Sequence, residues 1–449
     1  MSRKKSLVAK LGGLLLTITA MLIMASCGGN SPSSVNTTTP TTPAANNSVA
    51  LTVGFGPNGQ AGGYINGVFT TVTVCQAGTS TCQQIPNVLV DTGSIGLRVL
   101  SSALGSVSLA PVKDTSGDPL QECIQYGDTS YSWGPMVTAD VELGGEKASS
   151  IPIQILGGST FAVPSSTCLT LPVNPQLPNN GNENTVAALG ANGILGIGDG
   201  VQDCGSGCAS VATGSTYAGY PYYICPSGQA CEEIGVPTNA QATNPVAAFS
   251  SSDNNGVVVT FPSVPAAGTA TASGTLTFGI GTQTDNAFSA QTLYAMDQCG
   301  NIPTVTYNNS SYTDTFCSSS SGTGGMGAFF DTGSNALYVL DATTLGISDC
   351  SSGYYCPSST LTLSNIALTG NGSVGSGTVT LSIENADQLF TANPSFAAFN
   401  DVGSDSGTGP STDSFDFGAP FFLGKTVFLG IAGGAVPNNA NAPYGFVAF

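Results

Sequence analysis

The sequence predicts an all-β protein of two lobes, and three features carry that expectation. Apolar stretches from Ala50 onward are short and recur about every 8–12 residues, the spacing of packed antiparallel strands. Gly, Pro, Asn and Ser separate them, with little helix-period patterning; glycine alone supplies 59 of the 449 residues and charged residues only 8%. That length exceeds what one sandwich or barrel normally uses, so two lobes are the natural division. The third feature is a tetrapeptide that occurs once in each half, as Asp91-Thr92-Gly93-Ser94 and as Asp331-Thr332-Gly333-Ser334.

In chain order, residues 1–27 have the make-up of a bacterial export signal. Arg3, Lys4, Lys5 and Lys10 precede an apolar core from Leu11 to Met24, then Ala25-Ser26-Cys27. Small residues before a cysteine form a lipobox, in which Cys27 becomes an acylated N-terminus, and Gly28 after it favours the outer membrane. Residues 28–48, rich in Thr, Pro and Asn, are expected to be a flexible tether. The N-terminal lobe is expected over 49–280, with a Cys-rich insertion at about 200–245, and the C-terminal lobe over 281–449. Thirteen cysteines become an even set once Cys27 is set aside, which suits an exported protein with disulfides. Cys75/Cys82, Cys204/Cys208, Cys225/Cys231 and Cys350/Cys356 are near enough in sequence for local bridges. Cys123/Cys168 and Cys299/Cys317 are left over, although sequence alone admits other pairings.

Histidine is absent, which removes Ser-His-Asp and Cys-His catalysis and every His-containing metal site. Any catalysis rests on carboxylates, hydroxyls, backbone amides or thiols; no metal site and no cofactor are expected. Beyond the export signal only Arg98, Lys113, Lys147 and Lys425 stand against 26 acids. Such a surface repels nucleic acid and anionic lipid, so membrane contact is expected through the lipid anchor alone. Each Asp-Thr-Gly-Ser follows an apolar run (Val88-Leu89-Val90; Ala328-Phe329-Phe330) and precedes another. An apolar strand that ends by presenting a carboxylate is costly unless the carboxylate has a purpose. Two such turns suit a shared centre at which Asp91 and Asp331, too close to ionise together, activate a water. About a hundred residues after each turn comes an apolar stretch ending in Gly, Gly193 to Gly198 and Phe417-Gly418, a repeat on the scale of a lobe.

With these residues in view the chain resembles the pepsin-like aspartic peptidases. That family's D-T-G-S/T loop and neighbouring apolar-apolar-Gly strand match Asp91–Ser94 with Ile194-Leu195-Gly196. They match again at Asp331–Ser334 with Asp416-Phe417-Gly418, where an acid occupies an apolar position. The family's hairpin flap, with its Tyr-Gly pair, resembles Ile124-Gln125-Tyr126-Gly127 and the residues that follow. The likeness covers most of residues 50–449. It implies two pseudo-symmetric β lobes with an active-site cleft between them, and Asp91 and Asp331 as the catalytic pair. Gly93 and Gly333 would then admit the close turns, and the Thr92 and Thr332 hydroxyls would bond across the pseudo-dyad. Ser94 and Ser334 would donate to the outer carboxylate oxygens, and Tyr126 and Gly127 would close over a polypeptide substrate. Where the family holds its flap tyrosine with a Trp, this chain has Arg98; its single Trp, Trp133, offers a replacement. Asp199, Asp401, Asp405, Asp413 and Asp416 are expected in solvated loops.

The expectation is an exported, lipid-anchored, monomeric aspartic endopeptidase acting on polypeptide. The alternative is a catalytically silent fold of the same kind that binds polypeptide or glycan at the cell surface, and a third is a structural surface lipoprotein.

Overall fold

The computed structural model describes residues 46–60, 63–164, 168–169, 181–209, 221–315, 317, 325–406 and 414–449. The expected export signal, Cys27 and residues 28–45 of the expected tether lie outside these, as do Asp413 and residues 210–220. Asn47 and Ser48, at the end of that expected tether, are buried, and Ser48 opens the first strand.

The protein is all-β, its strands joined by loops and short helical turns. Alternation explains the strands that face solvent on one side. In Gly67–Gln76, Val72 and Val74 are buried while Thr71 between Thr70 and Val72 stays exposed. The central strands instead carry unbroken apolar runs because both faces are covered. Val88, Leu89 and Val90 are buried, as are Ile194 and Leu195 on the strand beside them. Among the described residues six disulfides form, and they are the pairs that sequence proximity and its remainder suggest. Cys75 and Cys82 illustrate why: they sit opposite one another in the register of the hairpin that joins Gly67–Gln76 to Cys82–Asp91.

The strands assemble into one sheet of sixteen and two of four. Ser48–Gly54 pairs with Ala272–Phe278, which pairs with Gly256–Thr260, then Thr426–Gly430, then Phe446–Ala448. One continuous sheet thus joins the beginning and the end of the fold and crosses residue 280. Each half also contains the same three-strand unit. Cys82–Asp91 runs parallel to Gly193–Ile197 with Asp91 opposite Gly196, and Ala328–Asp331 runs parallel to Phe415–Gly418 with Asp331 opposite Gly418. On the far side of each Gly-bearing strand lies an antiparallel neighbour, Ile95–Leu100 or Leu337–Val339. The repeat seen in the sequence therefore returns as matched registers.

Behind the second unit Phe330 stacks on Phe417 at 4.7 Å, and Phe421 meets both rings and Phe449. Such pairs add about 0.5–1.5 kcal/mol each beyond burial, and they fix the strand that ends in Asp331.

Two acids expected in solvated loops are buried. Asp416 lies within Phe415–Gly418 and is fully buried, because the strand's phenylalanines draw it into the core. Asp401 is 3% exposed; burial and the neighbouring Glu384 push its carboxyl up to about 7. An acid with a folded pKa above its unfolded value of about 3.9 holds its proton more tightly in the fold. The stability it lends is present below about pH 4 and is lost as pH rises towards the folded value. Asp401→Asn, which cannot titrate, is expected to flatten the fall in thermal midpoint between about pH 4 and 7; an unchanged slope in a thermal-shift series counts against the assignment.

Candidate active site

Asp91 and Asp331 end their strands and are each 3% exposed. In each loop the serine amide donates back to the aspartate carbonyl, at 3.5 Å for Ser94 and 3.2 Å for Ser334, so the chain turns sharply after the acid. The two turns grip each other. Thr92 Oγ1 donates to Phe330 O (2.8 Å) and accepts from Thr332 N–H (3.0 Å). Thr332 Oγ1 donates to Val90 O (2.7 Å) and accepts from Thr92 N–H (3.2 Å).

The glycines matter for space. A Cβ on Gly93 would lie 2.5 Å from Asp331 Cγ, and one on Gly333 would lie 2.8 Å from Asp91 Cγ. Any side chain there would push a carboxylate out of place. The Gly333 position also measures the approach of the two acids: Asp91 Oδ1 is 2.9 Å from it and Asp331 Oδ1 3.0 Å, so these oxygens are less than about 6 Å apart. That is within the span of one bridging water.

The surroundings of the two acids differ. Asp331 Oδ1 accepts from Gly333 N–H (2.7 Å) and Gly93 N–H (3.2 Å), and Ser334 Oγ lies 3.0 Å from Oδ2. Ser334 matches its expected role. Ser94 does not: its Oγ is buried against Gly196 and makes no hydrogen bond among the described residues. Ser334 Oγ also lies 2.6 Å from Asp416 Oδ2, a third acid that the sequence reading left in a loop. Its signal was visible, an acid inside a run of phenylalanines next to the critical Gly.

The expected flap is a hairpin of Leu120–Gln125 and Tyr131–Leu143, closed by Tyr126–Ser130. Gly127 is half-buried in that turn. Tyr126 is 2% exposed, packs with Leu89, Leu100 and Ile194, and donates its hydroxyl to Ser132 Oγ at 3.1 Å. Trp133 does not hold it, because the indole N–H donates to Phe161 O at 3.0 Å and the ring packs edge-on against Tyr223.

Arg98 has a different task. Its Nη2 donates to Glu122 Oε1 (2.6 Å) and Asp203 Oδ2 (3.1 Å), and Nη1 donates to Ile95 O (2.7 Å). Tyr222 donates to Asp203 Oδ1 at 2.6 Å and accepts Ala242 N–H at 2.7 Å. Burial pushes Glu122 well up against the pull of Arg98, and burial with Asp203 does the same to Tyr222. Burial opposes the guanidinium, but Glu122 and Asp203 more than offset it. The insertion now has a structural task as well. Its strand Tyr222–Ile224 pairs with the flap strand Leu120–Gln125 and in turn with Glu232–Glu233, while Cys123–Cys168 ties down the same strand. The hairpin is thus paired on its outer side within the sixteen-stranded sheet and does not stand alone.

Fold and site together define a two-lobed β protein in which each half delivers one buried aspartate, on a tight Gly turn, to a common centre. The chain belongs to the family described as "Protein of unknown function (DUF3443)", whose model matches residues 43–449. Among solved structures it is similar to the aspartic proteinase from Irpex lacteus, with a TM-score of 0.44 and 16% identity, covering 89% of this chain and 96% of that one. No curated protein matches the chain.

Arg98→Met would leave Glu122 and Asp203 buried beside each other without their cation. Breaking a buried pair in this way costs about 3–5 kcal/mol, to be read as a lowered denaturant midpoint. Adding Glu122→Gln to that variant is expected to recover part of the loss; a single variant as stable as the wild type would contradict the network.

Proposed function

We propose that the protein is an exported aspartic endopeptidase that hydrolyses peptide bonds with a water held between Asp91 and Asp331. The observation that carries this reading is the crossed threonine exchange, which sets two buried carboxylates within one water's span. Two acids so close share a proton. Three donors converge on Asp331, from Gly333, Gly93 and Ser334, and hydrogen bonds to a carboxylate favour its charged form. One carboxylate takes the water's proton while the other gives the shared proton to the substrate carbonyl oxygen. The proton then reaches the leaving nitrogen, and the pair is restored. Acid–base help of this kind contributes roughly 10²–10⁴ in rate, with positioning in addition.

Export is supported by six disulfides, which persist in oxidising compartments. Anchoring through an acylated Cys27 is the proposed mode of membrane attachment; among the described residues no helix is long and apolar enough to cross a membrane.

One observation favours a second reading, a silent binder of polypeptide. Tyr126 is folded into the core, and its hairpin is braced by a neighbouring strand and a disulfide, which restrains the closing movement that a flap performs.

Incubation with a denatured protein between about pH 3 and 6, with and without a statine-type inhibitor, separates the two. Cleavage is expected, and Asp91→Asn or Asp331→Asn is expected to lower it by at least about 10²–10⁴-fold with an unchanged thermal midpoint. Full activity in either variant would end the peptidase reading; binding without cleavage by the wild type would install the second.

A further inference from the structure

Ser334 stands between two carboxylates. Its Oγ is 3.0 Å from Asp331 Oδ2 and 2.6 Å from Asp416 Oδ2, yet a serine hydroxyl has one hydrogen to give. An ionised carboxylate only accepts. A shared serine hydrogen would weaken both contacts; each is a full two-centre hydrogen bond only if one of the two acids is protonated and aims its own O–H at Ser334 Oγ.

The surroundings decide which. Asp331 receives the Gly333 and Gly93 amides, donors suited to a charge. Asp416 is fully buried in a strand between Phe415 and Phe417, where ionisation costs most. Through Ser334 it is linked to the titratable Asp331. Its cross-strand neighbours are Phe329 and Tyr338, and the Tyr338 hydroxyl donates to Asn335 Oδ1 at 2.9 Å. In the other half the matching register place is held by Ile194, opposite Leu89 as Asp416 is opposite Phe329. The acid is thus an addition to one side of a repeated scaffold.

We infer that Asp416 is a positioning residue that stores a proton for the centre: its carboxyl O–H donates to Ser334 Oγ, and the Ser334 O–H is thereby committed to Asp331 Oδ2. The chain of two hydrogen bonds fixes the outer oxygen of Asp331 and keeps a second negative charge away from it. If Asp416 loses its proton, the serine hydrogen is drawn to the new carboxylate and Asp331 gains a charged neighbour. The consequence for catalysis rests on the peptidase reading, but the stored proton has a readout of its own.

That readout is stability against pH for the wild type, Asp416→Asn and Asp416→Ile, the last carrying the residue of the matched position. A proton kept in the fold and released on unfolding costs the wild type stability, relative to either variant, as pH rises above about 4. The variant's thermal midpoint minus that of the wild type is expected to climb on the order of 2 °C per pH unit between about pH 4 and 7. A difference that stays flat or falls means an ionised Asp416 and overturns the inference. Activity is read separately: in Asp416→Asn the alkaline limb of cleavage is expected to move up by about one pH unit, and an unmoved limb overturns the positioning role. The stability signature in a wild type that cleaves nothing would leave the stored proton standing and remove the peptidase reading alone.

Discussion

Thr92 and Thr332 each use one hydroxyl twice, accepting an amide hydrogen from the opposite loop and donating to a carbonyl of the opposite strand. Only a hydroxyl can fill both roles in one place, and the β-branch of threonine stiffens the side chain that delivers it. Each bond has a modest net worth of about 0.5–1.5 kcal/mol, but leaving the buried partners unpaired costs about 1–3 kcal/mol apiece. The four bonds therefore act as a condition on the whole fold. If the loops part, two amides and two carbonyls are stranded away from water. Everything else at the centre, including the approach of the two aspartates and the clearance over Gly93 and Gly333, follows from that grip.

Holding charge inside such a core needs compensation nearby. Arg98 stands in a strand where each neighbour is buried, and it is tolerated because two acids and a carbonyl accept from its Nη1 and Nη2. The same cation reaches the flap strand through Glu122 and the insertion through Asp203. A buried network of this kind contributes little net stability, but its geometry is demanding. It links the positions of three chain segments, and this one braces the hairpin that carries Tyr126. The bracing holds that hairpin without the Trp133 indole N–H, which donates to Phe161 O.

Much of this was legible in the sequence, for physical reasons. The twin Asp-Thr-Gly-Ser turns announced two equivalent carboxylate loops, and the crossed bonding of Thr92 and Thr332 was implied by the family resemblance together with hydroxyl donor geometry. Four of the disulfide pairs were legible because short loops leave few partners within reach, and the other two came by remainder. Other features were hidden because they depend on contacts between distant segments. Arg98 reads as a departure until Glu122 and Asp203 are seen beside it. Asp401 reads as a loop acid because nothing local reports its burial, whereas the phenylalanines on either side of Asp416 did carry a signal. Tyr126 matched the flap motif, but a motif does not say whether a ring faces solvent or core. Ser94 and Ser334 close the same tetrapeptide, and the motif alone does not report what the neighbouring strand places beside each.

That last difference bears on how a repeat becomes a reactive centre. The two halves share their strand registers but not the surroundings of their carboxylates. Here the difference falls one strand away from the loops. Opposite Leu89 stands Ile194, and Ser94 Oγ rests against Gly196; opposite Phe329 stands Asp416, and Ser334 bridges it to Asp331. The backbone of the two units is left alike, and the threonines keep their exchange. A single acid in a strand of phenylalanines gives Ser334 a second carboxylate contact, where Ser94 makes no hydrogen bond among the described residues.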